Sequence, residues 1–174
     1  MIIKQLKVGI LDVFCYIVGC PVTYKSAVID PGGQVDKIVD ELKRADLKLK
    51  YIFNSHNHMD HIAGNAQLKK LTGAKIVVHR LDAEMTDGAD IEIDGDTSIK
   101  FGEVNFQIIE TPGHTRGGIC FFSEGQLFTG DTLFVGDSGR TDLPGGNRSA
   151  LGASIRKLML FPDSTIVWPG HDYG

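Results

Sequence analysis

Five of the six histidines in this chain fall directly after short apolar runs, in turns built from Gly, Pro, Ser and Asp. Ser55-His56-Asn57-His58-Met59-Asp60-His61 follows Tyr51-Ile52-Phe53, and Thr111-Pro112-Gly113-His114 follows a run ending at Ile109. Trp168-Pro169-Gly170-His171 follows Ile166-Val167, and Thr129-Gly130-Asp131 follows Leu127-Phe128 with a carboxylate in place of an imidazole. Four apolar runs thus each end in a turn that presents a metal-type ligand. The Gly and Pro residues allow the sharp reversal that such presentation needs. In an extended loop, residues two apart project the same way, so His56 and His58 can reach one ion while Asp60 and His61 reach a neighbouring one. A His-x-His-x-Asp-His string arises by chance in a chain of this composition only about once in a thousand. Imidazole and carboxylate without thiolate suit zinc, iron or manganese. A metal that only staples a fold is usually held by four Cys and His ligands, so seven N/O ligands in two sets favour catalysis over a structural or binding-only role.

The elements that must carry these turns are read from periodicity. Ile2–Val8, Val13–Val18 and Ala27–Ile29 read as strands, the last stopped by Asp30-Pro31-Gly32-Gly33. Val35, Ile38, Val39 and Leu42 recur at helical spacing, so 34–44 reads as an amphipathic helix. Leu49–Phe53 and Lys75–Val78 read as strands around a helix at 65–71 that stops at Gly73. The polar stretch from Asp82 to Asp96 reads as a surface excursion with a short helix near 81–85. Ile99–Phe101, Val104–Ile109, Ile119–Phe122 and Leu127–Phe128 make the second half richer in strands. A Gly-rich loop over 136–146, a helix marked by Leu151, Ile155, Leu158 and Met159, and a strand at 165–168 complete the pattern. Helices recur in both halves of a strand-rich chain, which predicts an α/β arrangement of two sheets faced by helices in a single domain, 1–174.

Composition narrows the function. With 42% hydrophobic and 23% charged residues the chain is globular. Eighteen Lys and Arg stand against twenty-two Asp and Glu, a net charge of −4, and no basic run is long enough to suggest nucleic acid or a membrane surface as partner. No apolar run approaches the ~20 residues that span a bilayer. The segment 1–10 carries Lys4 and Lys7 and lacks a signal-peptide core, so a cytoplasmic location is expected. Cys15, Cys20 and Cys120 form no C-x-x-C pair and read as small core residues. His79 follows Ile76-Val77-Val78 without a partner motif and reads as a histidine outside the ligand set.

Taken together, Ser-His-Asn-His-Met-Asp-His, Thr-Pro-Gly-His-Thr, Thr-Gly-Asp-Thr-Leu-Phe and Pro-Gly-His resemble the metallo-β-lactamase superfamily. Within it the chain is similar to the glyoxalase II thioester hydrolases and to their relatives, the persulfide dioxygenases. Ile29-Asp30-Pro31-Gly32-Gly33 and Ser138-Gly139-Arg140-Thr141-Asp142 add to the resemblance, which runs from the early strands to His171. It implies an αββα sandwich of two mixed sheets with the metal site at one edge. It further implies His56, His58 and His114 on a first metal, Asp60, His61 and His171 on a second, and Asp131 bridging. The cofactor so implied is a pair of divalent transition metals, zinc foremost, with iron or manganese also suited.

Two divalent ions facing Asp60 and Asp131 leave a local charge of +2, lowered to +1 by a bridging hydroxide. Metals hold hydroxide near neutral pH because they lower the pKa of bound water to roughly 7. The resemblance therefore implies hydrolysis of an acyl thioester, with Asp60 and Asp131 at the reacting centre and a small thiol-derived molecule as substrate. The alternative it carries is a mononuclear Fe(II) persulfide dioxygenase using His56, His114 and Asp131. Arg140 is a candidate to bind a substrate carboxylate or to brace the loop through Asp142, and Tyr173 to contact the thiol-bearing part. The chain ends at Gly174, three residues after His171, without the helical segment through which glyoxalase II proteins contact glutathione. Glutathione is accordingly not singled out as the thiol. Lacking a thiol ligand, the site does not suggest β-lactam hydrolysis.

Overall fold

The computed structural model describes residues 1–173. Eleven strands and four α-helices follow one another as β1 (Ile2–Val8), β2 (Val13–Gly19), β3 (Lys25–Ile29), α1 (Val35–Arg44), β4 (Lys48–Phe53), α2 (Met59–Ile62), α3 (Asn65–Thr72), β5 (Lys75–His79), β6 (Ile91–Ile93), β7 (Thr97–Phe101), β8 (Val104–Glu110), β9 (Ile119–Ser123), β10 (Gln126–Gly130), α4 (Arg148–Leu158) and β11 (Ile166–Pro169). A 3-10 turn, Arg80–Met85, links β5 to β6.

The strands form two sheets. One has the order β1-β2-β3-β4-β5-β6 and the other β11-β10-β9-β8-β7. The first is antiparallel across β1, β2 and β3 and parallel from β3 to β6. The second is antiparallel except where β11 joins β10. Both sheets are mixed, as the family resemblance implies.

Alternation along β2 shows why the layers stack. Phe14, Tyr16 and Val18 face the second sheet and pack with Phe53, Phe106, Phe121 and Phe128. Val13, Cys15 and Ile17 face the other way, onto Val35, Ile38 and Leu42 of α1 and Leu68 of α3. A strand buried on both faces reads as one apolar run, and all seven β2 residues are buried. On the far side, Leu158 of α4 covers Ile109, Cys120 and Leu127 of the second sheet. Helix, sheet, sheet, helix is the resulting order, an αββα sandwich. The three cysteines are buried and unpaired, the core role expected of them.

Three local readings are corrected. The acidic excursion contains β6, which pairs with β5 from Val77↔Ile91 to His79↔Ile93. The ligand string itself carries the single turn α2. Helix α1 starts one residue later than the periodicity suggests, because Gln34 sits in the left-handed region at φ 46 as its cap. Among the described residues no helix is long and apolar enough to cross a membrane.

Candidate metal centre

The ligand turns leave the ends of β4, β8, β10 and β11, and the sandwich brings them to one edge. Parallel pairing of β10 with β11 aligns Gly130 with Pro169, which puts Asp131 beside Gly170 and His171. The buried Tyr16 hydroxyl donates to the Pro169 carbonyl at 2.6 Å and fixes the end of β11 from within the core. Gly170 is required here: a Cβ at that position would collide with Asp131 Oδ1 and lie 2.9 Å from His61 Cε1. Gly130 (φ 48) is equally confined, because its Cβ would strike the Ser55 side chain.

All seven candidate ligands meet at this edge. His56, His58 and His114 place one ligand atom each within 4.8 Å of one another, and so do Asp60, His61 and His171. Asp131 lies between the two sets. Its Oδ2 is 3.5 Å from His114 Nε2 and 3.7 Å from His171 Nε2, and its Oδ1 is 3.4 Å from His61 Nε2. His171 Nε2 is 3.3 Å from Asp60 Oδ2 and 3.2 Å from His61 Nε2.

Three of the imidazoles are turned by a hydrogen bond at the ring nitrogen facing away from the centre. His61 Nδ1 donates to Asp30 at 2.9 Å, and His114 Nδ1 to the Arg140 carbonyl at 2.8 Å. His56 Nδ1 meets Ser55 Oγ at 3.0 Å, and that hydroxyl donates to Asp30 at 2.6 Å. Each ring therefore turns its Nε2 inward, the arrangement that metal-binding histidines use. His56 Nε2, His114 Nε2 and Asp131 Oδ1 are buried without a hydrogen-bond partner. Burying such atoms unpaired costs about 1–3 kcal/mol each, so three of them within one imidazole–carboxylate cluster fit a site for divalent cations.

Electrostatics separates the two sets. Burial, reinforced by the neighbouring imidazoles, holds His56 well below the usual imidazole range, and burial with His114 lowers His58 as well. Both are ready as neutral ligands. Burial also acts to depress His61, but the carboxylates of Asp131 and Asp30 prevail and push it up to about 9. Burial opposes ionisation of Asp60, yet the hydrogen bond to His171 and the charge of His61 bring it down to about 2.

The centre opens into a cavity of about 520 Å³, whose lining includes His58, Phe134, Ser138, Arg140 and Tyr173. Arg140 is engaged by Asp142 through two hydrogen bonds of 2.7 Å, so its guanidinium braces the loop while its carbonyl holds His114. Tyr173 stacks on His171 with ring centroids 4.7 Å apart. His79 lies apart, bonded to Glu110 at 2.7 Å and capping the 3-10 turn through Leu81 N. Asp30 and Ser55 are the residues whose contribution the sequence reading missed. The available signal was that Asp30, like the ligands, stands in the turn directly after a strand.

An αββα sandwich with an imidazole–carboxylate cluster at its edge defines a metallo-β-lactamase-type metalloprotein. The sequence pattern described as the metallo-beta-lactamase superfamily matches residues 8–171, and the chain belongs to that superfamily. It is 36% identical to a hydroxyacylglutathione hydrolase from Rhodospirillum rubrum, over 98% of this chain and 66% of that protein. The chain thus spans just under two thirds of that relative's length. The crystal structure of ETHE1 from Myxococcus xanthus superposes with a TM-score of 0.93 at 36% identity, covering 99% of this chain and 76% of that one. A further relative, solved in a di-iron-bound form, gives 0.86 at 28% identity over 97% of this chain and 92% of its own.

Proposed function

We propose that the protein is a metal-dependent hydrolase of acyl thioesters. The observation that carries this reading is that His56 Nε2, His114 Nε2 and Asp131 Oδ1 are buried and unpaired within the ligand cluster, and that His114 and Asp131 line an open cavity. His56, His58 and His114 would hold one divalent ion, Asp60, His61 and His171 a second, and Asp131 both. Zinc is the first candidate, with iron or manganese also suited to the ligands. Ions so held supply hydroxide at neutral pH and Lewis acidity toward a carbonyl oxygen.

The chain's own residues do the rest. Asp60 and Asp131 offset the cationic charge, and Asp60, held near pKa 2, stays ionised while a substrate enters. Asp30, through Ser55 and His61, keeps ligands of both sets in register. Arg140 and Tyr173 lie on the cavity wall available to the thiol-bearing part of the substrate. Water adds across the C–S bond to give a carboxylic acid and a free thiol, so no side-chain nucleophile is needed. The substrate is a small thiol-derived molecule rather than nucleic acid or a membrane component, and the protein works as one domain in the cytoplasm. Similarity to a hydroxyacylglutathione hydrolase supports the thioester class.

His58→Ala and Asp131→Ala test the reading. Each should lower the metal content of the purified protein and abolish thioester cleavage. Full metal and full activity in both variants would refute it. A second reading, persulfide oxygenation at one Fe(II) held by His56, His114 and Asp131, draws on the likeness to ETHE1. It predicts oxygen uptake on glutathione persulfide with about one iron per chain.

A further inference from the structure

The cavity over the ligand cluster has an apolar neighbour. A groove of about 580 Å³ runs along the turn between β1 and β2, lined by Ile10, Leu11, Gln34, Met59 and Ala63, and reaches Asp60. Leu11, Met59 and Asp60 line both spaces, so the two are continuous. Among the described residues, Asp60 is the only charged one on the groove wall.

The apolar side chains here are displayed to solvent. Ile10 is 97% exposed, Leu11 53% and Met59 64%. A lone exposed apolar residue needs no explanation, but three around a groove that opens on a reactive centre mark a binding surface. The backbone beneath them is tightly fixed. Gly9 has φ 73, and a Cβ there would lie 2.8 Å from the Gly32 carbonyl oxygen. A Cβ on Gly32 would in turn collide with the Asp60 carbonyl oxygen. Three backbones thus stack, Gly9 on Gly32 on Asp60. The turn bearing Ile10 and Leu11 is thereby registered against a residue of the candidate centre.

We infer that this groove receives the acyl arm of the substrate and that the arm is apolar, an aliphatic chain of several carbons or an aromatic group. The inference rests on the thioester reading and specifies its substrate class. With the scissile carbonyl among the ligands, one arm lies along Ile10, Leu11 and Met59. The thiol-bearing arm takes the polar wall, where Ser138, Arg140 and Tyr173 stand. Continuity of the two spaces lets a single thioester fill both.

The test compares acetyl, butyryl, hexanoyl and octanoyl thioesters of one small neutral thiol, using metal-loaded wild type and the double variant Ile10→Ser/Leu11→Ser. Each methylene buried in the groove should raise kcat/KM about fourfold, so octanoyl should exceed acetyl by tenfold or more in the wild type once two of its six additional methylenes are buried. In the double variant that ratio should fall below about threefold. Calorimetric binding of octanoate against acetate to the zinc-loaded protein supplies a readout independent of turnover, with the same preference and the same loss expected. An active wild type with a flat chain-length profile overturns the groove assignment and leaves the hydrolase reading standing. If no thioester is cleaved, the hydrolase reading falls and the calorimetry alone decides the groove, with octanoate no tighter than acetate overturning it. Sedimentation of both proteins covers the remaining occupant: a dimer that the double variant dissolves, with the chain-length ratio unmoved, makes the surface a contact between copies and overturns the inference.

Discussion

The Asp30 carboxylate accepts a hydrogen bond from His61 Nδ1 at 2.9 Å, and this single contact ties the first turn after β3 to the candidate metal centre. The same carboxylate takes Ser55 N at 2.7 Å and Ser55 Oγ at 2.6 Å, and Ser55 Oγ in turn meets His56. One buried side chain therefore orients an imidazole in each ligand set. Its own backbone adopts φ 51, which Asp tolerates better than most residues because its short polar side chain bonds locally.

Asp30→Ala should be costly on two counts. It strands the buried Ser55 N–H and hydroxyl and leaves His61 without its acceptor, which should lower stability by about 3 kcal/mol, measurable as a shift in the urea midpoint. It should also weaken metal binding about 10- to 100-fold, the usual effect of removing a group that orients a ligand. Unchanged metal affinity in the folded variant would separate Asp30 from the centre.

Metal uptake should depend on pH differently at the two sets. His56 and His58 titrate below the usual imidazole range and have no proton to displace at pH 7 and above. His61, held at about 9 by Asp131 and Asp30, is protonated at neutral pH in the metal-free protein and must lose that proton to become a ligand. The second equivalent should therefore bind about tenfold more tightly per pH unit from 7 to 9, releasing close to one proton, while the first changes little. The sign for the metal-free fold follows from the same raised pKa. Stability from charged His61 is complete below its unfolded pKa near 6.5 and is lost as the pH rises through 9. Chelator competition at pH 7, 8 and 9, with proton release followed in weak buffer, checks both statements.

Gly170→Ala should displace Asp131 and His61 without unfolding the protein. The added methyl meets Asp131 Oδ1 and His61 Cε1 directly, at an overpacking cost of about 1–3 kcal/mol. Metal stoichiometry should fall while the far-UV circular dichroism spectrum is retained. Normal metal content in this variant would show that the edge relaxes more than its close packing suggests.

Much of this architecture was legible from residue order alone. The apolar runs before His56, His114, Asp131 and His171 became β4, β8, β10 and β11, and all seven candidate ligands gathered at one edge. Periodicity could not say which strands share a sheet, since the pairing of β11 with β10 is set by packing around Tyr16 and Phe128 rather than by any local pattern. The three-residue β6 escaped because an edge strand among turn-forming acids shows too little alternation to register. Asp30 escaped as a positioning residue because its partners, Ser55 and His61, lie 25 and 31 residues away. Arg140 was identified as a loop brace or a substrate contact, and the bidentate bond to Asp142 gives it the bracing geometry.

The most direct test of the central claim is metal analysis of the native protein paired with two turnover assays, thiol release from an acyl thioester and oxygen uptake on glutathione persulfide. A dinuclear hydrolase predicts two equivalents of metal, thiol release and no oxygen consumption. About one iron per chain, with rapid oxygen uptake and no thioester cleavage, would contradict it.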